Sequence, residues 1–146
     1  ERDTQMPFED NTFDLILCRH ESFNASEVAR TLRRGGVFLT QQVDGRDMLD
    51  LRAVFGDNMR YPHVQLNIFR SQLTDAGLSI NKAQNWAGKI TFANVGALVY
   101  YLKAVPWQAP PDFSVERYQH QLLMLHREQH LTFTVRRFLI KALKPN

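Results

Sequence analysis

Cysteine is almost missing from this sequence: Cys18 stands alone among 146 residues, so no internal disulfide can form and the cytoplasm is the expected setting. No apolar run is long enough to cross a bilayer. A strong charge bias is also lacking, since 18 Lys and Arg against 15 Asp and Glu leave a net charge of +3, spread along the chain, which is weak support for a nucleic-acid partner. The densest basic cluster, Arg136, Arg137, Lys141 and Lys144, reads as a solvated strand face. No repeat, low-complexity segment or linker is visible. The chain opens on Glu1-Arg2-Asp3 rather than on a secretory segment or an initiator Met, so upstream residues are expected to be missing. Glycines are few, and their one adjacent pair, Gly35-Gly36, follows a helical pattern and precedes a strand pattern. A loop that cradles a nucleotide cofactor needs the opposite order.

What is present is an ordinary globular composition, 44% hydrophobic and 23% charged, of a length that permits one domain. Phe13-Asp14-Leu15-Ile16-Leu17-Cys18 has the nearly continuous apolar character of a parallel strand covered by helices on both faces. Asn24 followed by Glu27 resembles a capping box and predicts a helix start, with Ala25, Val28, Ala29 and Leu32 as the inward stripe and Gly35-Gly36 as the stop. Val37 to Val43 then reads as a strand, completing a crossover unit. Met48 to Phe55 and Leu66 to Ala76 suit short helices, the second ended by Gly77. Leu78 to Phe92 predicts a strand region broken near Ala87-Gly88. Helices are expected around 95–105 and 114–128, separated by the prolines from Pro106 to Pro111. Leu131 to Leu143 closes the chain as a strand whose apolar phase switches between Val135 and Phe138. Strands alternating with helices make the fold class α/β.

Met6-Pro7-Phe8-Glu9-Asp10-Asn11-Thr12-Phe13-Asp14-Leu15-Ile16-Leu17 resembles the phrase that leads through the fourth strand of class I S-adenosylmethionine (SAM) dependent methyltransferases of the type 11-like group. Val28-Ala29-Arg30-Thr31-Leu32-Arg33-Arg34-Gly35-Gly36-Val37-Phe38 resembles the family's phrase before its fifth strand, with Arg34 where proline is usual. Leu73-Thr74-Asp75-Ala76-Gly77-Leu78 is similar to the lead-in to the sixth strand, and the closing stretch to the antiparallel seventh. The resemblance implies a partial Rossmann-like SAM methyltransferase sheet, strands four to seven, with a helical insertion before the last strand. It makes residues 1–146 the C-terminal part of a single methyltransferase domain, the N-terminal cofactor-binding half being absent from the sequence.

The resemblance also implies a site. Asp3, with Thr4 beside it, is placed toward the adenine of SAM, and Cys18 and Arg19 at the end of the apolar strand border the cofactor. His20 and Glu21 are the catalytic candidates: methyl transfer is an in-line displacement that depends on alignment, with a base needed only when the acceptor starts protonated. Tyr101 and Trp107, in the insertion, are candidates for substrate binding. Each has a plainer reading: Asp3 as a solvated loop residue, Cys18 as a buried strand residue, Arg19 and Glu21 as a surface pair, the aromatics as core. His126 and His130 are four apart without a third ligand, so no metal is expected. The implied cofactor is SAM and the partner a small-molecule methyl acceptor, with no membrane partner, nucleic acid disfavoured, and self-association through the unpaired edge of the apolar strand. A methyltransferase acting on RNA or protein, or a non-catalytic interaction module on the same fold, are the alternatives; the chain alone is expected to be inactive.

Overall fold

The computed structural model describes residues 5–129 and 131–146, so Asp3, Thr4 and His130 lie outside the described residues. The order of elements is β1 (Phe13–Arg19), α1 (Ala25–Thr31), β2 (Leu32–Val43), α2 (Leu49–Val54), α3 (Leu66–Asp75), β3 (Ser79–Thr91), α4 (Val95–Ala104), a 3-10 turn at Pro106–Gln108, α5 (Gln119–Glu128) and β4 (Thr132–Leu143). One four-stranded sheet has the order β1-β2-β4-β3. β1 pairs in parallel with β2, and β4 runs antiparallel to β2. The chain divides into two compact units: the described residues up to Gly45 with Pro62–Trp86 and Arg137–Asn146, and Arg46–Tyr61 with Ala87–Arg136.

In the first unit, α1 starts where Asn24 predicts it, because the Asn24 side chain accepts from the backbone N–H groups of Ser26 and Glu27. Its inward residues Val28 and Ala29 pack with Phe69 and Leu73 of α3 over Ile16, Phe38, Phe138 and Ile140 of the sheet. Side chains alternate across a strand, so Leu15 and Leu17 project from the opposite face, where they stay 53% and 66% exposed. The strand expected to be covered on both faces is therefore covered on one. It ends the strand order, which leaves its outer edge without a neighbour among the described strands.

The helix also stops earlier than the glycines predict. Leu32 already has extended backbone at φ −68° and ψ 140°, and β2 runs on through Gly35-Gly36. Phe13 pairs with Leu32 but Leu15 with Val37, so residues 33–36 form a bulge. Gly35 has φ +75°, and a Cβ on Gly36 would lie 2.8 Å from the Arg33 carbonyl oxygen and 3.2 Å from that of Phe13. The glycines thus answer the bulge, not the helix end. Lys144 of the basic C-terminal cluster is half-buried, its ammonium donating to Asn11 Oδ1 at 2.9 Å and to the Leu32 carbonyl at 2.8 Å.

The second unit has its own core, in which Met48, Leu51 and Phe55 meet Leu98 and Leu102 of α4, Leu122 and Leu125 of α5, and Phe133. Both helices lie between β3 and β4 in the chain, as a helical insertion before the last strand. The phase switch in β4 has a simple cause: Phe133 and Val135 pack with this core, Phe138 and Ile140 with the other, and the chain changes unit between Arg136 and Arg137. β3 runs unbroken from Ser79 to Thr91, so the interruption expected near Ala87-Gly88 does not occur. Arg52 is buried yet fully engaged, donating to Asp57 at 3.0 Å, to the Trp107 carbonyl at 2.7 Å and to Gln108 Oε1 at 3.1 Å. Gln108 passes the chain on to buried Asp47 at 2.9 Å. Such partners are what make a charge tolerable away from water.

Candidate functional site

Because β1 and β2 are parallel, their carboxyl ends lie together, which is where open α/β sheets gather ligands. The ladder pairs Cys18 with Thr40 and Arg19 with Gln41, and His20 extends it by one bond, its N–H donating to the Gln41 carbonyl at 2.9 Å. His20 then takes φ +56°, a left-handed conformation uncommon for a residue with a Cβ, and the chain turns out of the strand. Arg19, His20 and Glu21 are exposed at this tip. The Glu21 carboxylate accepts from the Ser22 N–H at 2.9 Å and its hydroxyl at 3.3 Å. Cys18, half-buried, donates its thiol to the Glu21 carbonyl at 3.2 Å.

Beneath the tip, the inward face of β2 changes character. Phe38 is apolar, but Thr40, Gln42 and, just beyond the strand, Asp44 are polar and buried. The Gln42 amide donates to Thr40 Oγ1 at 2.8 Å and to the Glu21 carbonyl at 2.9 Å, and reaches the Cys18 sulfur at 3.5 Å.

The segment before β1 is fastened to α1. Arg30 donates to the carbonyls of Phe8 at 2.8 Å and Met6 at 3.1 Å, and to the Asp10 carboxylate at 2.8 Å. Its remaining bonds go to Glu27 at 2.7 and 2.9 Å, and Glu27 in turn accepts from the Met6 N–H at 2.8 Å. Glu27 therefore holds the Met6-Pro7-Phe8 phrase instead of turning back to the Asn24 backbone as a capping box would. The bond from Arg30, then that from Met6, lowers the Glu27 pKa from 4.5 to about 2. Glu27, and after it Asp10, raises that of Arg30.

Of the residues singled out from the sequence, Cys18, Arg19, His20 and Glu21 come together at one strand tip. Tyr101 and Trp107 belong to the second unit. Tyr101 lies 5.1 Å from the Phe92 ring and donates to the Met48 sulfur at 3.3 Å, which is a core position; the Trp107 side chain is exposed while its carbonyl serves Arg52. Thr40, Gln42 and Arg30 were not singled out. The signal for the first two is present, since Thr40 and Gln42 alternate in phase with Phe38 and so share its covered face. Among the described residues no group of three or more His, Cys, Asp or Glu side chains could hold a metal, and no helix is long and apolar enough to cross a membrane.

No family model matches the sequence. No curated protein matches it either. Solved structures do. A candidate methyltransferase from Bacillus halodurans C-125 is similar at a TM-score of 0.61 and 18% identity, over 100% of this chain and 76% of that one. The YcgJ protein of Bacillus subtilis follows at 0.60 and 20% identity, over 97% and 68%. A geranyl diphosphate methyltransferase in complex with SAM reaches only 0.44 at 16% identity, over 96% and 54%. At such identities the likeness speaks for architecture alone: the chain carries a class I methyltransferase fold, present as a partial Rossmann-like sheet with helices.

Proposed function

We propose that this chain is the C-terminal part of a SAM-dependent methyltransferase that acts on a small-molecule acceptor. The observation that carries the reading is the tip of the parallel pair β1–β2, where Arg19, His20 and Glu21 stand exposed over a hydrogen-bonded base. When bound, SAM supplies an electrophilic methyl group on a sulfonium. The donor set at the strand tip suits one edge of such a ligand: Cys18 and Arg19 would border it, the resemblance alone adds Asp3 and Thr4, and a glycine-rich cradle would come from upstream residues. Where the acceptor starts protonated, His20 takes its proton as the methyl group arrives. Glu21 orients His20 or meets a cationic acceptor.

The test is equilibrium binding and methyl transfer with the chain extended upstream by its natural sequence, beside the 146-residue chain. Saturable SAM binding and transfer by the extended protein, without turnover by the shorter one, is the expected result. An extended protein that does not bind SAM overturns the reading. Affinity for RNA that falls steeply with salt would move the acceptor from small molecules to nucleic acid.

A further inference from the structure

We infer that Gln42 is a positioning residue for the strand tip, an inference that rests on the reading just given. The turn that carries His20 and Glu21 is pinned at two points. On one side the His20 N–H bonds to the Gln41 carbonyl; on the other the Glu21 carbonyl receives the Gln42 amide at 2.9 Å and the Cys18 thiol at 3.2 Å. Between the pins His20 is held in a left-handed conformation, which persists only where its surroundings over-determine it. Of the two donors to the Glu21 carbonyl the thiol is the weak one, so the amide carries the constraint.

Gln42 is itself well constrained. It is 4% exposed, it sits on β2 in register with Phe138 of β4, and Thr40 Oγ1 takes part of its donor capacity at 2.8 Å. An amide in this setting has one favourable orientation, because any other leaves a buried donor unpaired. Gln42 thereby sets where the Glu21 carbonyl stands, and with it the direction in which His20 leaves the strand.

The experiment has two arms. In the 146-residue chain, Gln42→Met keeps length and removes both donors; amide exchange at residues 20–22 should quicken tenfold or more while exchange in the middle of β2 and β4 stays put. In the upstream-extended protein the same change should lower turnover by roughly tenfold, since sub-ångström misplacement of a reacting group is costly, with SAM affinity within about twofold. Gln42→Leu, neutral and likewise without a donor, provides the second variant should Gln42→Met fail to fold. Unchanged exchange at 20–22, or turnover and SAM affinity falling together, overturns the inference. Absence of SAM binding by the unsubstituted extended protein would instead overturn the proposed function, and the exchange arm would still decide whether Gln42 pins the turn.

Discussion

Phe38 and Leu17 lie on neighbouring strands of one sheet and face opposite ways, which allows its one-sided cover to be measured. Phe38 is 0% exposed, with its ring 4.9 Å from that of Phe23. Truncating such a side chain to alanine typically costs about 3–5 kcal/mol, because a cavity is added to the lost transfer energy. Leu17 keeps 66% of its surface in water, so only a third of the roughly 2 kcal/mol available from burying a leucine is at stake, about 0.7 kcal/mol. With a urea dependence of roughly 2 kcal/mol per molar, the midpoint should fall by about 1.5–2.5 M for Phe38→Ala and by ~0.3 M for Leu17→Ala. Both are read by circular dichroism on dilute protein, so that association does not contribute. Equal shifts, or a loss above about 1 M for Leu17→Ala, would refute the argument, for they would mean that the outward face of β1 is covered in solution.

Three further outcomes are expected. Since Glu27 titrates near 2 when folded against 4.5 ordinarily, its bonds stabilise fully above about pH 4.5 and are lost as pH falls toward 2; the Met6 amide proton followed by NMR should hold its position down to pH 4 and shift only below it. In the upstream-extended protein His20→Ala should lower turnover more than SAM affinity, and unchanged turnover would remove His20 from the site. The 146-residue chain should associate with rising concentration in light scattering, through the open edge and bare face of β1, and Leu17→Lys should weaken this; a monodisperse monomer at all concentrations would count against it.

Local signals read well where one physical rule acts alone. Asn24 starts a helix because its side chain accepts orphan amides, and Gly77 ends α3 at φ +86°. The pattern misled where two rules share a residue type. Gly35-Gly36 looked like a helix stop, yet the left-handed glycine belongs to a bulge whose need arises only once β1 and β2 are in register. An apolar run such as Phe13 to Cys18 announces burial but not how much of the partner layer is in the same chain. For the site, the chain order itself puts Cys18, Arg19, His20 and Glu21 on one tip, so that part was legible. Gln42 was legible only as a polar residue on the covered face of its strand; its contact to Glu21 was not, because it spans 21 positions and depends on strand pairing. Tyr101 and Trp107 illustrate the opposite hazard: aromatic residues on a helix and in a turn are consistent with pocket or core until their neighbours are known.

A strand with one bare face, as in β1, has less to hydrate when the fold comes apart. Heat capacity of unfolding follows newly wetted apolar area, and a 146-residue protein with ordinary burial should show about 1.8–2.2 kcal/mol/K. Leucines that already meet solvent in the folded state add little to that sum, so the calorimetric value for this chain should fall below the range and its stability should vary gently with temperature. Whatever covers those leucines would raise the value and sharpen the dependence.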